Sequence, residues 1–200
     1  MFVTDWMTKN VFTVKEDDSV AHAAGIIKEK KIKHLPVLSG DKVVGILSDR
    51  DIKEYIPSKA SSLDAYELHY LIAKTNVKEI MKTHVVTTDP QTPVETAAMK
   101  MFDHNIGCLP VVENGRLIGI ISDKDIFRVM VEITGVRRGG NRINLSVEDK
   151  AGSIKEVADI VRKHGFSLQS ILSTVDGSSG KDVRNIVIRT RDKGDIVALE

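Results

Sequence analysis

Two hundred residues with 42% hydrophobic content and a formal net charge of +1 describe a globular chain long enough to bury a core. Near-neutral charge lacks the footprint of a nucleic-acid-binding domain. No apolar run reaches the length of a membrane span, and the N-terminus carries no signal-peptide core. The one cysteine, Cys108, excludes an internal disulfide and fits a reducing, cytoplasmic compartment; its apolar flank Ile106-Gly107-Cys108-Leu109 reads as that of a buried, inert thiol.

The first predicted elements are an extended piece at Val11–Val14 and a helix capped by Ser19, with Val20, Ala23, Ala24 and Ile27 on one face. Strands at Leu35–Leu38 and Val43–Leu47 flank the turn Ser39–Lys42. The second strand runs into Gly45-Ile46-Leu47-Ser48-Asp49-Arg50-Asp51, an apolar strand that stops at a serine and opens a helix. Serine followed three residues on by an acid is the signature of a capping box, although Glu or Gln is the usual partner. Such a helix start also suits a nucleotide, since its N–H groups and dipole favour phosphate and a carboxylate accepts from ribose hydroxyls. At this stage both readings stand.

After a connector over 57–76, whose Ala65, Leu68, Leu71 and Ile72 recur at helical spacing, the pattern repeats 74 residues on. Met7 returns as Met81, Thr13 as Thr87, Val20 as Val94, Leu35-Pro36-Val37 as Leu109-Pro110-Val111, and Gly45 and Ser48 as Gly119 and Ser122. In this second copy Val85–Thr88 is the predicted extended piece. Thr92 is the predicted helix cap with Pro93 in first helical position, Val94, Ala97, Ala98 and Met101 form the apolar face, and Asn114-Gly115 the hairpin turn. Proline donates nothing to a ladder, so Pro36 and Pro110 are expected at a sheet edge or strand start. Each unit reads strand, helix, strand, strand, helix. Two such units packed sheet to sheet bury their shared apolar faces and leave clefts between paired elements.

A Gly- and Arg-rich stretch, 132–141, marks a boundary. Arg137, Arg138 and Arg142 are the sole basis for a DNA-associated alternative; a solvated linker is the simpler account. Beyond it, Ile143, Leu145 and Val147 alternate as in a half-buried strand, and Asp149–Ile154 turns into a helix bearing Ile154, Val157, Ala158 and Val161 that ends at His164-Gly165. Leu168–Val175 and Val183–Arg191 form a hairpin across 176–181. This is the opening of a ferredoxin-like βαββαβ domain. Residues 192–200 are too short for its last helix and strand, so either the domain is truncated or a partner covers the bare face; Leu199-Glu200 also suits a cloning scar.

On Met7 and Met81, Pro36-Val37 and Pro110-Val111, and the Gly-x-x-Ser-Asp-x-Asp-Ile runs Gly45–Ile52 and Gly119–Ile126, residues 1–131 resemble a pair of CBS domains, or Bateman module. Asp149–Ile154 with Gly165-Phe166-Ser167-Leu168 and Ile171 resembles an ACT domain. The order is similar to that of bacterial acetoin-utilisation-type regulatory proteins. The implied fold class is α/β (α+β): CBS unit 1 at 1–56, helical connector 57–76, CBS unit 2 at 77–131, linker 132–141 and an ACT-like domain at 142–200, complete or truncated.

The resemblance implies an adenosine-containing regulatory ligand, AMP, ADP, ATP or S-adenosylmethionine, with each aspartate of Ser-x-x-Asp on the ribose and each serine near phosphate. The implied nucleotide-binding residues are Thr13, Lys33, His34, Pro36, Ser48, Arg50 and Asp51 with Thr87, Cys108, Pro110, Ser122, Lys124 and Asp125. More basic groups surround the first motif, so it is expected to hold phosphate better, and His34 offers pH dependence. Lys33 and Arg50 as solvated charges, and His34 as a structural residue, are the open alternatives. An amino-acid-type effector is implied at Asp149, Ala151, Gly152 and Ser153.

Catalysis finds no support. The six histidines are scattered without metal-ligand spacing, and neither a phosphate loop nor a nucleophile elbow occurs. The expectation is a non-enzymatic sensor needing no cofactor or metal, a homodimer acting on an unidentified regulated protein, with no membrane and no nucleic-acid partner. The competing expectation is a dimerisation module with no ligand.

Overall fold

The computed structural model describes residues 1–60, 65–176 and 182–191. The connector residues 61–64, the hairpin loop 177–181 and the tail 192–200, with the truncation and scar expectations attached to it, lie outside the described residues, as do the side chains of Ala65 and Leu68. Two compact units are formed, Met1–Ile126 and Phe127–Glu200.

In the first unit a short helix α1 (Val3–Trp6) precedes β1 (Val14–Lys15), α2 (Val20–Lys30), β2 (His34–Ser39), β3 (Lys42–Ser48) and α3 (Asp49–Ala60). The Ser19 hydroxyl caps α2, accepting from the His22 N–H at 3.2 Å. The helix ends where Lys31 turns left-handed (φ 53), and Asn105, its repeat equivalent, does the same (φ 51). β2 pairs antiparallel with β3 and parallel with β1. The connector holds a helix, α4 (Ala65–Lys74), followed by a 3₁₀ turn at Val77–Glu79. The second copy supplies α5 (Val94–Asp103), the antiparallel pair β4 (Cys108–Glu113) and β5 (Arg116–Ser122), and α6 (Asp123–Thr134). Asn114 and Gly115 both take positive φ (50 and 78), the backbone of the tight hairpin turn that Asn-Gly favours.

Three details depart from the sequence reading. Neither extended piece is a full strand: of Val11–Val14 only Val14 joins β1, and of Val85–Thr88 only Thr88 bridges, to Val111, while Val85 and Val86 line a cleft instead of a ladder. Thr92 does not cap α5, which starts one residue later behind Pro93; the Thr92 carbonyl instead accepts from the Val3 N–H at 2.9 Å. Pro36 lies inside β2, the central strand of its sheet, and not at an edge or strand start, whereas Pro110, third in β4, does sit in an edge strand, that of a two-stranded sheet. Their opposite numbers Ile46 and Ile120 exchange both main-chain bonds with Lys82 and Thr8. The prolines therefore occupy non-bonded ladder positions and forfeit nothing there.

Those bonds reveal how the copies are interleaved. Residues 1–8 cross to the second copy: Thr8 pairs with Ile120 at 2.9 and 3.0 Å, and Val3 is fully buried in the core with Leu109, Val111 and Ile121. Residues 77–82 cross to the first: Lys82 pairs with Ile46 at 2.9 Å in both directions, and Val77 is buried with Leu35, Val37 and Leu47. Each valine contributes about 1.5–3 kcal/mol to a core other than that of its own repeat. Methionine completes the exchange. Met81 packs on Gly45 and Met7 on Gly119, and a Cβ at either glycine would overlap the methionine sulfur.

The second unit takes in the end of α6, a 3₁₀ turn at Val136–Arg138, β6 (Arg142–Glu148), α7 (Ser153–Lys163), β7 (Leu168–Asp176) and β8 (Val183–Thr190). The sheet order is β6-β8-β7, antiparallel throughout, so β6 and β7 run parallel with β8 between them. This split β-α-β arrangement buries Val157 and Val161 of α7 against Phe166, Ile186 and Ile188.

Candidate functional site

Each Ser-x-x-Asp element forms a local knot at a helix start. The Asp51 carboxylate Oδ2 accepts from the Ser48 N–H at 2.8 Å and from its hydroxyl at 2.5 Å, while the Asp51 N–H donates to Ser48 Oγ at 3.2 Å. In the second copy the Ser122 N–H and hydroxyl donate to Asp125 Oδ2 at 2.9 and 2.7 Å. The capping role is thus occupied in both. Each start is also tied to the preceding loop, Asp49 N–H to Lys33 O at 3.0 Å and Asp123 N–H to Gly107 O at 2.9 Å.

Around the first knot opens a cleft of about 900 Å³ within the first unit. Its apolar lining comes from Ile46, Val85, Val86, Met101, Phe102 and Ile106. Lys33, His34, Ser48, Arg50 and Asp51 supply polar and charged groups from the first copy, joined by Lys82, His84 and Asp123 from the second. A greasy wall facing a few convergent polar groups is the ordinary composition of a small-molecule site.

Electrostatics differ from group to group. The Asp51 side chain is 8% exposed, and Lys82 Nζ lies 3.2 Å from its Oδ1. Asp49 is held by Lys53 one turn on, at 2.6 Å. His34 reaches across to the second copy, where Gly107 leaves room: a Cβ there would come 3.1 Å from His34 Cε1 and 3.7 Å from Asp123 Oδ2. Burial lowers the His34 pKa below its ordinary 6.5; Asp123 and Asp51 oppose that, and Lys33 and Lys82 reinforce it. Burial, helped by the Asp123 carboxylate, pushes the Cys108 thiol up to about 12, so it is no nucleophile.

Of the residues expected from sequence, Lys33, His34, Ser48, Arg50, Asp51 and Cys108 line this cleft. Cys108, expected at the second motif, stands opposite Ser122 across β4 and β5 and also lines this cleft. Ser122, Lys124 and Asp125 stand together at the other helix start, outside the cleft. Thr13, Pro36, Thr87 and Pro110 do not line it; the two prolines lie within their strands, and Thr87 is solvent-exposed. Sequence reasoning missed Lys82, His84, Val85 and Val86. The 74-residue period marks them as counterparts of Thr8, Asn10, Val11 and Phe12, but says nothing of which copy they reach.

In the second unit Asp149 Oδ1 takes both Nε and Nη2 of Arg184 at 2.7 Å, and Arg184 Nη1 donates to Ser173 Oγ at 3.0 Å. Ala151 and Gly152 are exposed, Gly152 in the left-handed region (φ 93), and Ser153 is buried. Of the three arginines behind the nucleic-acid alternative, Arg138 is bonded to Glu132. Among the described residues no cluster of three His, Cys, Asp or Glu side chains is placed to hold a metal, and no helix is long and apolar enough to cross a membrane.

Comparison with known proteins points the same way. The CBS domain pattern matches residues 3–58 and 77–132. A homoserine O-acetyltransferase of Methanohalobium evestigatum is 37% identical over 133 residues, 66% of this chain but 24% of the relative; the chain thus matches about a quarter of that enzyme's length. Among solved structures, the CBS domain pair of protein MJ0100 in complex with 5′-methylthioadenosine and S-adenosyl-L-methionine is 30% identical, covers 66% of this chain and 97% of that one, and superposes with a TM-score of 0.57. CBSX2 in complex with AMP is 32% identical over 66% of this chain and 97% of its own, TM-score 0.54. An acetoin utilization protein (AcuB) from Vibrio cholerae is 28% identical over 70% and 98%, TM-score 0.58. With two matched stretches that exceed half its length and two like cores joined by exchanged straps, the chain belongs to the CBS domain family and carries a tandem pair of these domains.

Proposed function

We propose that this protein is a regulatory sensor that binds an adenosine-containing ligand, AMP, ADP, ATP or S-adenosylmethionine, in the Ser48–Asp51 cleft. The observation that carries this reading is the meeting, in one cleft, of a nearly buried carboxylate at a helix start, exposed cations at Lys33 and Arg50, and an apolar wall. A nucleoside with a charged tail uses all three: base on the wall, ribose on Asp51, tail toward the cations and the helix start. The adenosine ligands of MJ0100 and CBSX2 support the same class. Ser122, Lys124 and Asp125 are the proposed counterpart of the site in the second copy. The enzyme name of the methanogen relative belongs to a chain of which the match spans 24%, so no catalytic activity is proposed.

Regulation requires a ligand that favours one arrangement of the protein over another, since equal affinity shifts nothing. Its output is a regulated protein in the cytoplasm. For residues 142–200 we propose an ACT-like role, with an amino-acid-type effector at Asp149, Ala151, Gly152 and Ser153; the split β-α-β order supports it. A homodimer is proposed on one observation. α5 exposes Met99 (57%) and Phe102 (87%), where the repeat has Gly25 and Lys28. The same observation favours a second reading, an assembly module without ligand.

Calorimetric titration with AMP, ATP and S-adenosylmethionine separates the two. The sensor reading expects saturable heat with at least one of them, its first-cleft component lost in Asp51→Ala. Heat with none rejects it.

A further inference from the structure

Both oxygens of the Asp51 carboxylate are engaged, but by contacts of different kinds. Oδ2 holds the helix start through Ser48, three residues away. Oδ1 meets the ammonium of Lys82, a side chain 65% exposed, on the strap that crosses from the second copy. That strap is pinned by main chain, Lys82 N–H to Ile46 O and Ile46 N–H to Lys82 O, so the lysine side chain can swing without unpinning it. An ion pair with one partner so exposed contributes little and breaks readily. A ribose hydroxyl arriving at Asp51 has Oδ1 to bond and competes there with the exposed Lys82 ammonium.

We infer that Lys82 is a specificity-determining residue of the cleft: displaced from Asp51 by a ribose hydroxyl, its ammonium is taken up by an anionic 5′ tail, so the cleft selects adenosine phosphates over uncharged or cationic adenosine derivatives. This rests on the adenosine reading above and narrows it. Three observations carry it. Lys33 and Arg50 line the same cleft, so a released Lys82 without an anion joins like charges. The two other carboxylates of the lining are already engaged, Asp49 by Lys53 at 2.6 Å and Asp123 beside His34 with its Oδ1 on the Lys124 N–H. A phosphate supplies a charge-assisted bond in place of the one given up, whereas a neutral tail leaves the exchange one bond short. The repeat puts Thr8 where Lys82 stands, so the second motif has no such cation to deliver.

The test is calorimetric titration of AMP, adenosine and S-adenosylmethionine into the full chain as wild type, Lys82→Gln and Lys82→Arg, with thermal melts as a check on folding. Wild type is expected to bind AMP at least ~10-fold tighter than adenosine. Lys82→Gln is expected to cut that ratio by about tenfold, with adenosine unchanged or tighter because Asp51 no longer has a cation to release; Lys82→Arg is expected to keep the ratio. An unchanged ratio in Lys82→Gln overturns the inference alone, as does an equal loss for AMP and adenosine, which marks a structural role. Wild type that binds none of the three overturns the adenosine reading and this inference together.

Discussion

The two Ser-x-x-Asp turns are built alike and set in different surroundings. The Ser N–H to Asp Oδ2 distances are 2.8 and 2.9 Å, and the hydroxyl contacts 2.5 and 2.7 Å. Yet one turn faces a cleft with Lys82, His34 and His84, and the repeat replaces these by Thr8, Cys108 and Asn10. The difference teaches that the motif encodes a helix start and a carboxylate, while the choice of ligand is written in residues the motif does not contain.

The deepest test of the likeness is its shared architecture. Gly45→Val and Gly119→Val each force a side chain into the matching methionine, Met81 or Met7, and are expected to cost about 2 kcal/mol apiece in urea unfolding. Unequal losses break the equivalence of the two straps. Next comes the carboxylate. Asp51→Ala and Asp125→Ala each remove a cap worth about 1 kcal/mol, read as similar drops in thermal stability, but only Asp51→Ala is expected to abolish titration heat at the first cleft. Similar losses of binding would show that the surroundings do not discriminate.

Position 34 and its counterpart 108 sharpen the contrast further. Burial holds the His34 pKa below 6.5 in the folded chain, so the unfolded chain binds the extra proton first as pH falls. This stability contribution is intact above 6.5 and is lost as pH drops from there toward the folded pKa. Urea midpoints between pH 5 and 8 should therefore fall on the acid side in wild type and flatten in that window in His34→Gln. The smallest effect is at Cys108, whose thiol, at about 12, is expected to resist iodoacetamide at pH 8 until urea unfolds the chain. Rapid alkylation of the native protein would contradict its burial.

Much of the fold was legible in the sequence. The period of 74 carried the order of elements, Asn114-Gly115 its turn, and Ser19 its cap, because these are local choices that φ, side-chain reach and hydrophobic period decide. The exchange of straps was not, for a reason intrinsic to repeats. Since Gly45 and Gly119 are alike and Met7 and Met81 are alike, a strap folded on its own copy and one folded on the other satisfy the same pattern. Without the crossing, Lys82 and the segment from His84 to Val86 have no reason to be placed near Ser48. Val85 and Val86 also looked like strand residues because β-branched side chains suit strands; here they line a cavity, which asks for the same apolarity. Pro36 misled in the opposite direction, since its tolerance depends on which neighbour Ile46 bonds.

The exchanged straps also set an order of events during synthesis. Thr8 closes onto Ile120, more than a hundred residues further along the chain. Residues 1–8 thus wait for β5 to be made before they find their place, and the first copy waits for Val77 and Lys82 before its own sheet is flanked. Pairings this remote in sequence slow folding, because the loop must close before the contacts that reward it form. A single copy released on its own would be a core with an open edge.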